Sequence, residues 1–298
     1  MQDDNSSGLL NALGKAGTLI EALPFMRRYS GKSIVVKFGG HAMGEKAFVD
    51  SFAADIVLLR QVGAKPVVVH GGGPQIGDML KRLQIESSFV DGLRITDAAT
   101  VSVVEMVLAG GINKALVAAI DAAGAMAVGL SGKDARLITA DRLAGVQSKS
   151  GDMVDLGFVG TPAEINPAVI GALIGADMIP VIAPLGLGRD GETYNINADT
   201  AAGAVAGTLG ATRLLMLSDV AGVKDRAGNL IPRLTLSEAR GLIEDGTVSD
   251  GMIPKLETCI RAVEDGAEAA VIMDGRAPHA ILVELFTEDG IGTLVCND

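Results

Sequence analysis

The sequence predicts an α/β fold: a three-layer αβα sandwich around a mainly parallel sheet, with one extra helix ahead of it. Three observations carry that prediction. Short β-branched runs lack polar alternation, as strands buried on both faces do. Stretches with helical apolar spacing alternate with them, the pattern of parallel strands joined by crossover helices. The 39 glycines cluster at the ends of the apolar runs, where strand-to-helix turns need them.

Leu9 to Met26 reads as an amphipathic helix, with Leu9, Leu13, Ile20 and Leu23 broadly on one side. It stands outside the alternation, so its stripe must be buried on its own domain or on another subunit. Ser33 to Phe38 (SIVVKF) and Pro66 to His70 (PVVVH) are the first strands. A helix from about Glu45 to Val62 lies between them, and another covers Gln75 to Leu83. Further strands are predicted at Ala127 to Leu130, Met178 to Ala183, Arg213 to Leu217 and Ala269 to Met273. Helices are predicted at Ala98 to Leu108, Ala198 to Thr208, Leu236 to Ile243 and Met252 to Asp265. A polar turn at Gly186 to Glu192 (GLGRDGE) is a weak boundary. It divides the chain into a helical arm over 1–30 and two lobes over 31–185 and 186–298.

Hydrophobic residues make up 48% and aromatics only 3%, so the core must be built from Val, Ile, Leu, Ala and Met. The formal charge of -11 disfavours nonspecific binding to nucleic acid or an anionic membrane, while a few local cations can still reverse the potential in a cleft. Cys259 and Cys296 are too few and unpatterned for a disulfide framework or a zinc site and read as reduced thiols. The opening MQDDNSSG lacks the basic and apolar regions of a secretory signal, and no uninterrupted apolar stretch reaches membrane-spanning length. A soluble, cytoplasmic protein is expected.

Two familiar phosphate signatures fail. No P-loop pattern occurs. Gly186, Gly188 and Gly191 match G-x-G-x-x-G, but extended polar chain follows where the dinucleotide fingerprint needs a helix. Other blocks say more. In VVKFGGHAM, Lys37 ends a buried strand, where ligands of parallel sheets bind, and Gly39 and Gly40 let backbone amides approach a phosphate. A lysine snorkelling to the sheet edge is the plainer alternative. HGGGPQI places Gly72 and Gly73 before a helix as an anion cradle; His70 reads as structural ahead of catalytic. GLRITD offers Arg94 for bidentate carboxylate recognition or for a surface ion pair, and Thr96 and Asp97 for capping or binding. YNINAD sets Asn195 and Asp199 around a helix start. LSDVAGV ends a strand in a turn suited to a nucleotide. In DGMIPK, Lys255 opposes the macrodipole of the helix it opens, which hints at an anionic partner.

These six blocks, in this order, resemble the amino-acid kinase superfamily and, within it, the acetylglutamate kinases, from about Leu19 to Val295. The resemblance implies phosphorylation of the N-acetyl-L-glutamate side chain, with ATP and Mg²⁺, in arginine biosynthesis. It implies that Lys37 and Lys255 stabilise the transferring phosphoryl group, that Asp199 orients them, and that Gly72, Gly73, Arg94 and Asn195 hold the acetylglutamate. Gly39, Gly40, Ser218, Asp219, Gly222 and Val223 fall on the nucleotide side. No metal-ligating residue is implied. The lobe over 31–185 would then take acetylglutamate and that over 186–298 the nucleotide.

EALPFMRRYSGK (Glu21 to Lys32) and DGRAPHAILVELFTEDGIGT (Asp274 to Thr293) resemble segments of arginine-sensitive members, in which N-terminal helices interlace dimers into a hexamer. Phe25, Glu284 and Gly290 would border the arginine. Phe25 and Val271 depart from the Tyr and His often found there. A PII-type regulator binds some relatives. Two rivals stay open: a sister kinase for N-acetyl-aminoadipate, one methylene longer, which a pocket distinguishes by only about 1–3 kcal/mol, and a noncatalytic arginine sensor.

Overall fold

A computed structural model describes residues 3–39, 43, 45–90, 92–147 and 153–298. Gly40, expected on the nucleotide side, lies outside the described residues. The chain opens with α1 (Asp3–Tyr29), which runs on through Pro24. Its stripe is not packed on its own domain: Leu13, Ile20 and Leu23 are 59%, 68% and 37% exposed, and the side chain of Leu9 lies outside the described residues. The last turn is anchored. Tyr29 is buried, with its ring edge-on to Phe286 at 6.4 Å.

The first half of the chain then builds β1 (Ser33–Phe38), α2 (Lys46–Gln61), β2 (Lys65–His70), α3 (Gly73–Arg82) and a short hairpin, β3 (Phe89–Val90) and β4 (Leu93–Arg94). The helix expected to end at Leu108 runs much further. α4 (Ala98–Glu105) passes through a π-helical stretch, Met106–Ile112, into α5 (Asn113–Ala123), closed by Gly124 at φ 108°. By length and composition this 26-residue run is apolar enough to cross a membrane, which the sequence reading had not picked out; here it packs against α2 and α3. After β5 (Ala127–Ser131), the strands β6 (Ile138–Arg142), β7 (Val146–Gln147), β8 (Met153–Val154) and β9 (Val159–Ile165) lead to α6 (Ala168–Gly175) and β10 (Ile179–Ala183). The GLGRDGE turn forms β11 (Leu185–Gly188) and its reversal into β12 (Thr193–Ile196), a hairpin with Gly191 at φ 87°. With β6 and β9 it closes a small barrel.

The second half contributes α7 (Ala198–Thr208), β13 (Arg213–Ser218), β14 (Arg233–Thr235), α8 (Leu236–Glu244), α9 (Ile253–Glu264), β15 (Ala269–Asp274), α10 (Ala280–Phe286) and β16 (Thr293–Cys296). One eight-stranded sheet joins both halves in the order β14-β16-β15-β13-β1-β2-β10-β5, parallel except where β16 meets β15.

Side-chain alternation along the central strands assigns each residue a face. Val35, Val67 and Val69 pack with Val205 of α7 and Leu256 and Ile260 of α9. Ile34, Val36 and Val68 pack with Ile56 of α2 and Leu116 and Ile120 of α5. Lys37 therefore falls on the α7–α9 side and His70 on the α5 side. In register, Phe38 pairs with His70 and Ser218 with Asp274, so the carboxyl ends of the strands finish level and form one edge.

His70 is fully buried, and removal from water lowers its pKa to about 4. The neutral ring is thus the folded form, and an unfolded His70 takes up a proton first as pH falls. The stability it contributes is complete above about pH 6.5 and is lost between there and pH 4, by at most about 3 kcal/mol. Urea unfolding at steps from pH 7 to 4 is expected to show a shallower loss in His70→Gln than in the unaltered chain. Equal slopes would refute the neutral buried ring.

Candidate active site

Three elements place one charged cluster at the carboxyl edge of the sheet. Lys37 comes from the end of β1, Asp199 from the first turn of α7, and Lys255 from the first turn of α9. Lys37 Nζ and Asp199 Oδ1 are 2.9 Å apart, and Lys255 Nζ donates to Oδ2 at 2.9 Å. The carboxylate is thus shared, one oxygen facing each ammonium group. Burial alone would raise the Asp199 pKa; the two ammonium groups outweigh it and hold the carboxyl below its usual range. Lys255 is locally unfavourable at a helix start, and the anion that compensates it is Asp199 itself.

The sequence prepares this meeting. Asn197 caps α7, its Oδ1 accepting from the N–H groups of Asp199 and Thr200 at 2.8 and 3.2 Å. That fixes where the helix begins and hence where Asp199 points. Small residues let α7 lie close to α9: a Cβ at Gly203 would come within 2.9 Å of the Thr258 methyl. Gly39 serves the same end, because a Cβ there would sit 3.0 Å from Lys37 Nζ.

Beside the cluster is a cleft of about 270 Å³ lined by Lys37, Gly72, Gly73, Arg94, Asn195 and Asp199. Six residues from four sequence blocks are thereby brought together. Gly72 precedes α3, and a side chain there would collide with Ile112 and Leu108. The first amides of α3 lack helical acceptors and can serve an anion. Arg94 is no surface cation: it is 7% exposed, donates to Ser87 Oγ and to the Gly73 carbonyl at 3.0 Å, and stacks on Phe89 at 4.4 Å. Thr96 and Asp97 are accounted for locally, Thr96 donating to the Arg94 carbonyl and Asp97 capping α4. His70 bonds the turn, as its structural reading expected. Larger hollows, of about 490 and 500 Å³, lie elsewhere; the first is lined by Glu164, Arg261 and Asp265 and the second by Asp78 and Arg82, and neither includes Lys37, Lys255 or Asp199.

The model of the Amino acid kinase family matches residues 32–274. The chain belongs to the amino acid kinase family. A protein of Rhodospirillum centenum named acetylglutamate kinase is 60% identical over 287 residues, covering 95% of this chain and 94% of that one. Among solved structures, N-acetylglutamate synthase of Neisseria gonorrhoeae, in its complex with coenzyme A and N-acetyl-glutamate, superimposes with a TM-score of 0.83 at 26% identity. The same synthase with coenzyme A and L-arginine gives 0.79 at 25%. Each match covers 95% of this chain but only 63% and 65% of the synthase chain.

Among the residues expected on the nucleotide side, Ser218 ends β13, and its hydroxyl donates to Asp219 at 3.2 Å. Gly222 takes φ 148° against Thr293, where a Cβ would come within 2.5 Å of the hydroxyl. At Val223 the side chain is fully buried and the N–H donates to Thr293 Oγ1 at 2.8 Å, which secures the turn. Phe25, Glu284 and Gly290 lie on α1, on α10 and in the turn before β16. Glu284 Oε2 accepts from the N–H groups of Ile291 and Gly292, directly beneath Gly290 at φ 61°. Ser87, Phe89 and Asn113 escaped the sequence reading. Only Asn113 left a signal there, an amide in the apolar run MVLAGGINKALV.

Charge balance makes the cluster testable. Asp199→Asn leaves two buried ammonium groups unopposed and should destabilise the fold by roughly 3–5 kcal/mol, whereas Lys37→Met leaves a neutral Lys255–Asp199 pair and should cost less. Thermal denaturation of the two variants checks the order, and the reverse order would overturn the shared-carboxylate account.

Proposed function

We propose that the chain transfers the γ-phosphoryl group of ATP to the side-chain carboxylate of N-acetyl-L-glutamate, in arginine biosynthesis in the cytoplasm, giving N-acetyl-L-glutamyl 5-phosphate and ADP. The observation that carries this reading is the pair of ammonium groups gathered on Asp199 beside a cleft holding Arg94 and Asn195. Identity of 60% to a protein named acetylglutamate kinase supports the acceptor.

A glutamate side chain has a reference pKa of about 4.3 and is already a nucleophile near neutrality, so the site needs no general base. A carboxylate oxygen attacks the γ-phosphorus as the bond from that phosphorus to the β,γ-bridging oxygen breaks, the electron pair leaving with ADP. The obstacle is repulsion between two anions. Lys37 and Lys255 offset it where charge develops, with Asp199 keeping both ammonium groups aimed. Arg94, Asn195 and the amides of Gly72 and Gly73 hold the acceptor. Gly39, Gly40, Ser218, Asp219 and Gly222 serve the nucleotide. Among the described residues no three His, Cys, Asp or Glu side chains gather to hold a metal, and Asp199 is committed to lysines. Mg²⁺ then enters as part of the substrate, carried on phosphate oxygens and water.

Arginine control is part of the same reading. Phe25, Glu284 and Gly290 flank the contact of α1 with α10, and the exposed apolar residues of α1 suit the interlacing of dimers into a hexamer.

With MgATP and N-acetyl-L-glutamate, hydroxylamine trapping should report an acyl phosphate; signal only with carbamate, aspartate or N-acetyl-aminoadipate would reassign the acceptor. Lys37→Ala and Lys255→Ala should each lower kcat by about 10²-fold or more. Arg94→Ala should raise the KM for acetylglutamate by about 10- to 100-fold; an effect confined to ATP would overturn its placement. Activity should also fall on titration with arginine, and a flat response into the millimolar range would remove the regulatory reading.

A further inference from the structure

We propose that Asn113 is a positioning residue for the anion cradle, acting through the ring of His70 to aim the Gly72 amide into the cleft. The inference rests on the acetylglutamate kinase reading of that cleft.

Asn113 is fully buried on α5, just past the π-helical stretch. Its Nδ2 donates to the Val181 carbonyl at 2.9 Å and the Leu130 carbonyl at 3.3 Å, and its Oδ1 accepts from Lys114 Nζ at 3.1 Å. Carbonyls can only accept, so the amide's orientation is fixed by its partners. The same Nδ2 lies 3.2 Å from His70 Nε2; with two hydrogens for three partners, one is shared between His70 and the longer Leu130 contact, and because the amide nitrogen offers no lone pair, Nε2 faces it as an acceptor. The ring proton of a neutral His70 is then on Nδ1, 2.9 Å from the Gly71 carbonyl, to which it donates.

That last bond controls the cradle. The Gly71 carbonyl and the Gly72 N–H belong to one planar trans peptide and point in opposite directions. Holding the oxygen toward buried His70 turns the N–H toward the cleft that Gly72 lines. With glycine on both sides, nothing in the local chain resists a flip of this peptide. The opposite tautomer, protonated on Nε2, would set a lone pair against the carbonyl and release it.

The surroundings keep the ring neutral. β1 brings Phe38 and β10 brings Ala183 level with His70, neither titratable. α7 brings Ala198 near Gly71, and the buried Asp55 of α2 is committed to His279 at 2.6 Å. Among the described residues, Lys114 is the charge that bears on the ring, and it lowers the pKa further after burial itself.

The first test reads the tautomer in the unaltered protein. Ring ¹⁵N shifts of the three histidines, with His70 assigned by loss of its signal in His70→Gln, should show His70 neutral and protonated on Nδ1 at pH 7. Protonation on Nε2 would overturn the proposal whatever the enzyme's substrate. Asn113→Asp supplies an acceptor where a donor stood, so it should raise the His70 pKa and hold a proton on Nε2. Its kcat should then fall as pH rises between about 6 and 9, while the unaltered enzyme shows no such fall from this group. If that variant does not fold, Asn113→Ala should lower kcat by about 10- to 100-fold with the ¹⁵N signature of mixed tautomers. A folded Asn113→Ala with unchanged kcat also overturns the proposal. Loss of the acetylglutamate reading would appear separately, as unaltered protein inactive on acetylglutamate with the His70 tautomer intact.

Discussion

One carboxylate holds the site together. Among the described residues, Asp199 is the side chain that joins Lys37 at a strand end to Lys255 in the first turn of α9. Without its charge the two ammonium groups would repel across a few ångströms in a largely dehydrated pocket. Much of the surrounding structure follows from this demand. α7 must come close enough to the sheet and to α9, which is why it is built of Ala and Gly. It must begin at one defined residue, which is why Asn197 caps it. β1 must end with Lys37 on the α7–α9 face, which strand alternation settles once Val35 is in that core.

The same alternation divides the labour of the two central strands. Lys37 carries charge on one face of the sheet, and His70, one residue later in register, carries a neutral ring on the other. These are opposite solutions to burial. The lysine meets an anion 2.9 Å away. For the imidazole, burial disfavours the charged form and lowers the pKa to about 4, although the bond to the Gly71 carbonyl works the other way. Between them, at the shared carboxyl edge, the glycine loop receives electrostatic help from one side and fixed geometry from the other.

The parallel half of the fold was legible in the sequence because it obeys local rules. SIVVKF and PVVVH announce strands that are buried on both faces, and the glycines behind them announce the turns. The residues of the cluster were legible too, since each sits in a block with its own chemical oddity: a lysine ending an apolar strand, or a lysine opening a helix. What stayed hidden depends on tertiary partners. The helix after Asp97 was expected to stop at Leu108; it continues through Gly110 and Gly111 as a π-helical stretch, and the whole run packs against α2 and α3. β11 and β12 pair across a turn that read as a boundary. The bond that fixes the LSDVAGV turn, from the Val223 N–H to Thr293 70 residues away, leaves no mark in the block itself. Arg94 had even odds of being a surface cation, and only Ser87, Gly73 and Phe89 together bury it.

A chain of formal charge -11 that takes two anionic substrates must concentrate its positive charge locally. Lys37, Lys255 and Arg94 do so against a single carboxylate, and each is restrained differently. Arg94 is locked by a stack and two hydrogen bonds, which suits a group that recognises a fixed carboxylate. Lys255 is hydrogen-bonded to Asp199. Lys37 meets the other oxygen of the same carboxylate at 2.9 Å. In a phosphoryl transfer the charge moves during the step, and ammonium groups already oriented beside its path stabilise it at little reorganisation cost. The shared aspartate thus does two things at once: it offsets the repulsion between the lysines in the resting site, and it aims both at the place where charge will develop.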